Sequence, residues 1–125
     1  MKKTNCALLP LFLIFCGCAT TITNLTPSTQ KRNADGLYPV EVVLDTHQQS
    51  LVKESIAPYV IVDTNIYPMQ PTMMLNNRWE ALVPVPANRD VVNYRYKFDY
   101  DYRSIPRRQP GSKLSPPYQL RIIDK

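Results

Sequence analysis

Residues 91–103 read Val-Val-Asn-Tyr-Arg-Tyr-Lys-Phe-Asp-Tyr-Asp-Tyr-Arg, and alternation this strict predicts a β-strand with unlike faces. Tyr94, Tyr96, Phe98, Tyr100 and Tyr102 share one side, while Asn93, Arg95, Lys97, Asp99, Asp101 and Arg103 share the other. At about 3.3 Å per residue five rings in file line roughly 27 Å, more apolar surface than a lone strand leaves in water. A second layer must cover most of it. Residues 78–85 alternate as well, with Trp79, Ala81, Val83 and Val85 opposed to Arg78, Glu80 and Leu82. Trp79 is the candidate core anchor. Pro84 and Pro86 end regular pairing and residues 87–90 carry turn chemistry, so these two runs predict an antiparallel hairpin.

Shorter apolar runs supply the remaining strands. The turn signal Asp35-Gly36 precedes a run that puts Val40, Val42 and Leu44 on one face. Pro58 opens Tyr59-Val60-Ile61-Val62-Asp63, β-branched and short, the pattern of a strand buried on both sides. After Pro116-Pro117 a final strand places Tyr118, Leu120 and Ile122 together. Between these runs, residues 46–55 read as a loop or one helical turn, residues 66–77 as a Pro- and Met-rich loop, and residues 103–115 as a loop with Pro106, Arg107, Arg108, Pro110 and Lys113. Residues 19–36 are rich in Thr, Ser, Asn and Gln, the composition of a tether, within which Ile22 and Leu25 can form a first edge strand.

Composition agrees with an all-β chain. Twelve prolines stand against three glycines in 125 residues, and proline is barred from helix interiors and from strand positions that must donate. The expected architecture is a two-sheet β-sandwich of about seven short strands occupying residues 37–125. The length allows one core.

The first residues carry a different signal. Lys2 and Lys3 are followed by an apolar stretch over residues 7–15, shorter than the roughly 20 residues needed to span a bilayer and typical of a targeting segment. The segment ends Phe15-Cys16-Gly17-Cys18, which resembles the lipobox of bacterial lipoproteins. That resemblance implies a signal peptide over residues 1–17, lipidation of Cys18, and a lipid-anchored protein of the bacterial cell envelope. Ala19 after the cysteine resembles lipoproteins passed to the outer membrane where the host has one. An ordinary secretory signal cleaved near Ala19 is the other reading. All three cysteines, Cys6, Cys16 and Cys18, lie in this segment, so the folded part must be held by its core without disulfides. Taking Lys2 and Lys3 from the 15 basic residues leaves a net charge of about +3 against 10 acidic ones, too mild to point to nucleic acid.

No constellation reports a reaction. His47 stands alone, without a carboxylate or cysteine at ligand spacing, and reads as a solvated loop residue. Met69, Met73 and Met74 have the softness that copper(I) favours, yet their spacing reads better as packing or an apolar contact loop. Asp99 and Asp101 share a face flanked by Lys97 and Arg103, an arrangement of strand-surface charge pairing. The expectation is a protein without catalytic residues, cofactor or metal.

The segment from Trp79 through Tyr94-Arg-Tyr-Lys-Phe resembles the corresponding hairpin of immunoglobulin-like carbohydrate modules of the glycogen-binding kind. The resemblance implies an immunoglobulin-like sandwich and leaves a glycan ligand open, although Asp99-Tyr100-Asp101 lacks the glycine that follows in that family. Two functions result. In the first, a lipid-anchored module engages an envelope protein partner through Tyr100, Tyr102, Arg107, Arg108 and Lys113, since arginine and tyrosine are enriched at interface hot spots. In the second, exposed tyrosines stack sugars. They part on whether Tyr100 and Tyr102 are buried.

Overall fold

The computed structural model describes residues 20–124. Among these the chain forms ten strands and no helix: β1 Thr20–Asn24, β2 Thr29–Lys31, β3 Leu37–Thr46, β4 Leu51–Val62, β5 Asn65–Pro68, β6 Gln70–Pro71, β7 Arg78–Pro84, β8 Val91–Tyr102, β9 Gln109–Leu114 and β10 Tyr118–Ile123. Four of them make one sheet in the order β1-β3-β7-β6, and six make the other in the order β2-β10-β8-β4-β5, with β9 paired to β8. The two sheets pack face to face as an all-β sandwich. Its strands outnumber the expected seven because polar and proline-rich stretches also pair.

The aromatic strand organises the core as its pattern requires. Tyr94, Tyr96, Phe98 and Tyr100 are buried and meet Tyr38, Val40, Val42 and Leu44 of β3, Val83 of β7 and Leu120 and Ile122 of β10 in one cluster. Trp79 joins it edge-on, its ring 5.5 Å from that of Phe98. The expected hairpin between these two strands does not form. Strand β7 pairs with β3 and β6, whereas β8 pairs with β4, β9 and β10 in the opposite sheet. Residues 85–90 cross from sheet to sheet, with Val85 buried and its N–H donating to Gly36 O at 2.9 Å. Two strands that each carry one apolar face bury more by stacking those faces than by lying edge to edge.

Residues 46–55, expected as a loop or one helical turn, hold a loop only over residues 47–50 and no helical turn. Strand β4 starts at Leu51, and its register against β8 shifts between Val52 and Ala57. Ser55 closes this bulge: its hydroxyl donates to Val52 O (2.6 Å) and accepts from Asp101 N (2.8 Å). Further along, Val60 and Val62 are buried while Tyr59 and Ile61 are half-buried on the outer face, so this strand is covered on one side rather than two. Residues 103–115 are also more ordered than a loop, since β9 pairs with β8 from Lys97↔Leu114 to Tyr102↔Gln109.

The polar stretch near the start of the described chain is built into both sheets. Strand β1, anticipated around Ile22, is the edge of the four-stranded sheet, with Thr20↔Thr46 and Asn24↔Val42 in register. Strand β2 lies parallel to β10 at the edge of the other. Between them, Asn24 Nδ2 donates to Tyr94 Oη (2.9 Å), Tyr96 Oη donates to Asn24 Oδ1 (2.7 Å), and Thr26 Oγ1 lies 3.0 Å from Tyr96 Oη. Gln30 Nε2 donates across the sandwich to Pro39 O (2.9 Å). Residues 20–31 therefore act as a clamp, not a tether. The sandwich begins upstream of residue 37.

Candidate functional site

Three connections converge on one end of the sandwich. Strand β1 starts there, because Thr20 pairs with Thr46 at the end of β3. The Thr20 hydroxyl has two acceptors for its one proton, Thr46 Oγ1 (2.9 Å) and Gln48 Oε1 (3.1 Å), and the residue is 9% exposed. Residues 47–50 then carry the chain to β4, and Arg103 binds them twice, through its backbone N–H to Ser50 O (2.6 Å) and its guanidinium to Gln49 O (3.0 Å). The β8–β9 hairpin tip, residues 103–108, projects beyond that contact. On the other sheet, Asn77 O accepts from Leu44 N at 3.0 Å, which brings the β6–β7 connection, residues 72–77, to the same end.

Both projecting tips expose large apolar side chains to water. Met73 is 82% exposed, Met74 98% and Ile105 95%, with Leu75 about half exposed. The β6–β7 tip is a structured turn: Thr72 N donates to Arg78 O (2.9 Å) and Leu75 N to Thr72 O (3.3 Å). Met74 and Asn77 adopt left-handed backbone, φ 63° and 61°, a region where asparagine is common and a long side chain such as methionine is not. The turn thus spends backbone strain to hold an apolar side chain in solvent. The β8–β9 tip also carries Arg103, Arg107 and Arg108, all exposed. Arg108 lies 3.9 Å from Asp101, and Arg107 makes no ion pair among the described residues.

The residues expected to bind do not all gather here. Arg107 and Arg108 occupy the hairpin tip. Tyr100 does not belong to any surface: it is 6% exposed, and its ring meets Tyr102 edge to face at 5.4 Å. Burial, then the hydrogen bond to Tyr102, pushes its phenol up to about 12. Tyr102 is half-buried over Gly111, where an added Cβ would come within 2.6 Å of the Tyr102 ring. Lys113 sits in β9 opposite Phe98, half-buried and displaced from the tip. With the aromatic file this far inside, stacking sugars on Tyr100 would require opening the sandwich.

Comparisons with protein-family models, curated proteins and solved structures give no match. The chemistry of the chain must therefore be read from its own groups. Among the described residues, no three His, Cys, Asp or Glu side chains come together to hold a metal ion. His47 is exposed in the 47–50 connection, at the rim of a cleft of about 470 Å³ that also includes Lys53, Glu54 and Arg103. Asp99 pairs with Lys97 at 3.4 Å, so the two strand carboxylates are each beside a cation. A cleft of about 660 Å³ at the opposite end holds Arg32 and Arg89, and both are engaged: Arg32 with Asp90 (2.5 Å) and Asp124 (2.7 Å), Arg89 with Asp63 (3.3 Å). Met69 is buried in the core, apart from the exposed pair Met73 and Met74. The sequence marked the arginines by composition. It marked the methionine turn only as an aperiodic cluster, and nothing local connected the two.

Proposed function

We propose that the protein is a lipid-anchored, non-catalytic module of the bacterial cell envelope, held by acylated Cys18 and using its basic tip, Arg107 and Arg108, to engage an anionic surface. The observation that carries the reading is the leader: Lys2-Lys3, a short apolar stretch and Gly17-Cys18 stand immediately before the first strand. Cys18 and the leader lie outside the described residues. Two or more acyl chains on that cysteine anchor a protein stably, whereas one does not. Among the described residues no helix is long and apolar enough to cross a membrane. Ala19 after the cysteine supports an outer-membrane destination in a host with two membranes, where the sandwich would present itself to an envelope protein partner.

Metabolic labelling with a fatty-acid analogue tests this directly. The wild-type protein takes up label and fractionates with membranes, and Cys18→Ser loses both. Label retained by Cys18→Ser would overturn the reading.

A further inference from the structure

The start of β1 leaves almost no slack between the anchor and the fold. Thr20 is fixed by its ladder with Thr46 and by side-chain bonds to Thr46 and Gln48, and only Ala19 separates it from Cys18. Consecutive Cα atoms are 3.80 Å apart, so the Cα of Cys18 lies no more than about 7.6 Å from that of Thr20. A flexible tether over residues 18–36 would instead have a root-mean-square reach of roughly 25 Å. Whatever holds Cys18 holds this end of the sandwich against it.

That end is also the one with exposed Met73 and Met74 on one tip and exposed Ile105 with Arg103, Arg107 and Arg108 on the other. Apolar side chains flanked by cations match the boundary between acyl chains and anionic headgroups, where arginine keeps its stem in the apolar layer and its charge in the phosphates. At the opposite end Arg32 and Arg89 are already engaged by Asp90, Asp124 and Asp63, with Asp35 nearby, so that end offers an anionic surface no free arginine of this pair. We infer that the two tips, residues 72–77 and 103–108, dock into an anionic lipid surface and seat the sandwich upright on the membrane that holds Cys18. This rests on the lipoprotein reading and deepens it by naming the anionic surface as the bilayer itself. Attachment through so short a link keeps the tips at high local concentration at the surface, so weak insertion suffices.

The mature chain has no cysteine after Cys18, so an introduced thiol is the single free one on the acylated protein. Met74→Cys and Ile105→Cys at the tips, and Ala87→Cys at the opposite end, are exposed positions whose replacement leaves the core intact. Each lipidated full-length variant, carrying a polarity-sensitive fluorophore, is reconstituted into phosphatidylglycerol-containing vesicles with spin-labelled acyl chains. Probes at 74 and 105 are expected to shift to the blue and to be quenched several-fold, with the probe at 87 unchanged. Adding Arg107→Ala/Arg108→Ala should reduce quenching at 105 at least twofold. Vesicles that carry the protein while the tip probes match the probe at 87 would overturn docking alone and leave the tips to a protein partner. Protein that fails to float with vesicles would overturn the anchor and the docking together.

Discussion

Replacing Asn24 with alanine removes the bolt that joins β1 to the opposite sheet. Three hydrogen bonds are lost: Asn24 Nδ2 to Tyr94 Oη at 2.9 Å, Tyr96 Oη to Asn24 Oδ1 at 2.7 Å, and Thr26 N to Asn24 Oδ1 at 3.1 Å. Tyr96 can turn its proton to Glu41 O, 3.2 Å away, but the Thr26 amide has no second partner among the described residues, and Tyr94 keeps only its neighbour Tyr96. At about 1 kcal/mol net per bond the loss comes to about 3 kcal/mol, near the upper end for a polar substitution. Tyr96→Phe is the control. There Asn24 Oδ1 keeps Thr26 N, Thr26 Oγ1 keeps Glu41 N (2.9 Å) and Glu41 O keeps Leu25 N (2.9 Å), so the cost is about 1 kcal/mol. Urea unfolding measures both, read as a lower midpoint at constant slope, and amide exchange over residues 20–24 reports whether β1 opens first. If Asn24→Ala stayed within about 0.5 kcal/mol of wild type, β1 would be loosely held and the short link from Cys18 to the fold would no longer follow.

Truncating Trp79 or Phe98 to alanine should each cost about 3–5 kcal/mol, because the two rings meet edge to face between sheets; thermal unfolding near the wild-type temperature would show that the sheets do not stack there. Gly111→Ala forces the Tyr102 ring aside and should cost about 1–3 kcal/mol, visible as a lower urea midpoint. Tyr100 holds its proton more tightly in the fold, its value raised from 10.0 to about 12, and burial raises Tyr96 further. Their contribution is thus complete below about pH 10 and is lost as pH rises through the folded values. Urea midpoints should fall from about pH 10 to about pH 12, and Tyr100→Phe should flatten that decline.

How much of this was legible in the chain depended on how local the physics was. Strand β8 keeps an unbroken period of two, so its buried and outer faces could be read directly. The start of β4 could not, because the bulge makes neighbours Leu51 and Val52 both buried and the bond that stabilises it comes from Ser55. Strands β7 and β8 have the same alternation whether they pair edge to edge or stack, and only the competition for buried area decides. In β1 and β2 the outward side chains are polar because both are sheet edges, so composition imitated a tether while Asn24, Thr26 and Gln30 supplied the bonds. The tip cations Arg107 and Arg108 were visible in sequence. Their placement at the same end as Met73, Met74 and Thr20 was not, since strand order alone brings those segments to one end.

The proposed seating of the sandwich on a membrane is measured most directly by neutron reflectometry of the lipidated protein on a supported bilayer containing phosphatidylglycerol. Strand β8, 12 residues long, sets a layer of about 40 Å at 3.3 Å per residue. The account predicts protein density of about that thickness beginning at the headgroups with no water layer between. A hydrated gap of roughly 25 Å beneath the protein, the reach of a free tether, would contradict it.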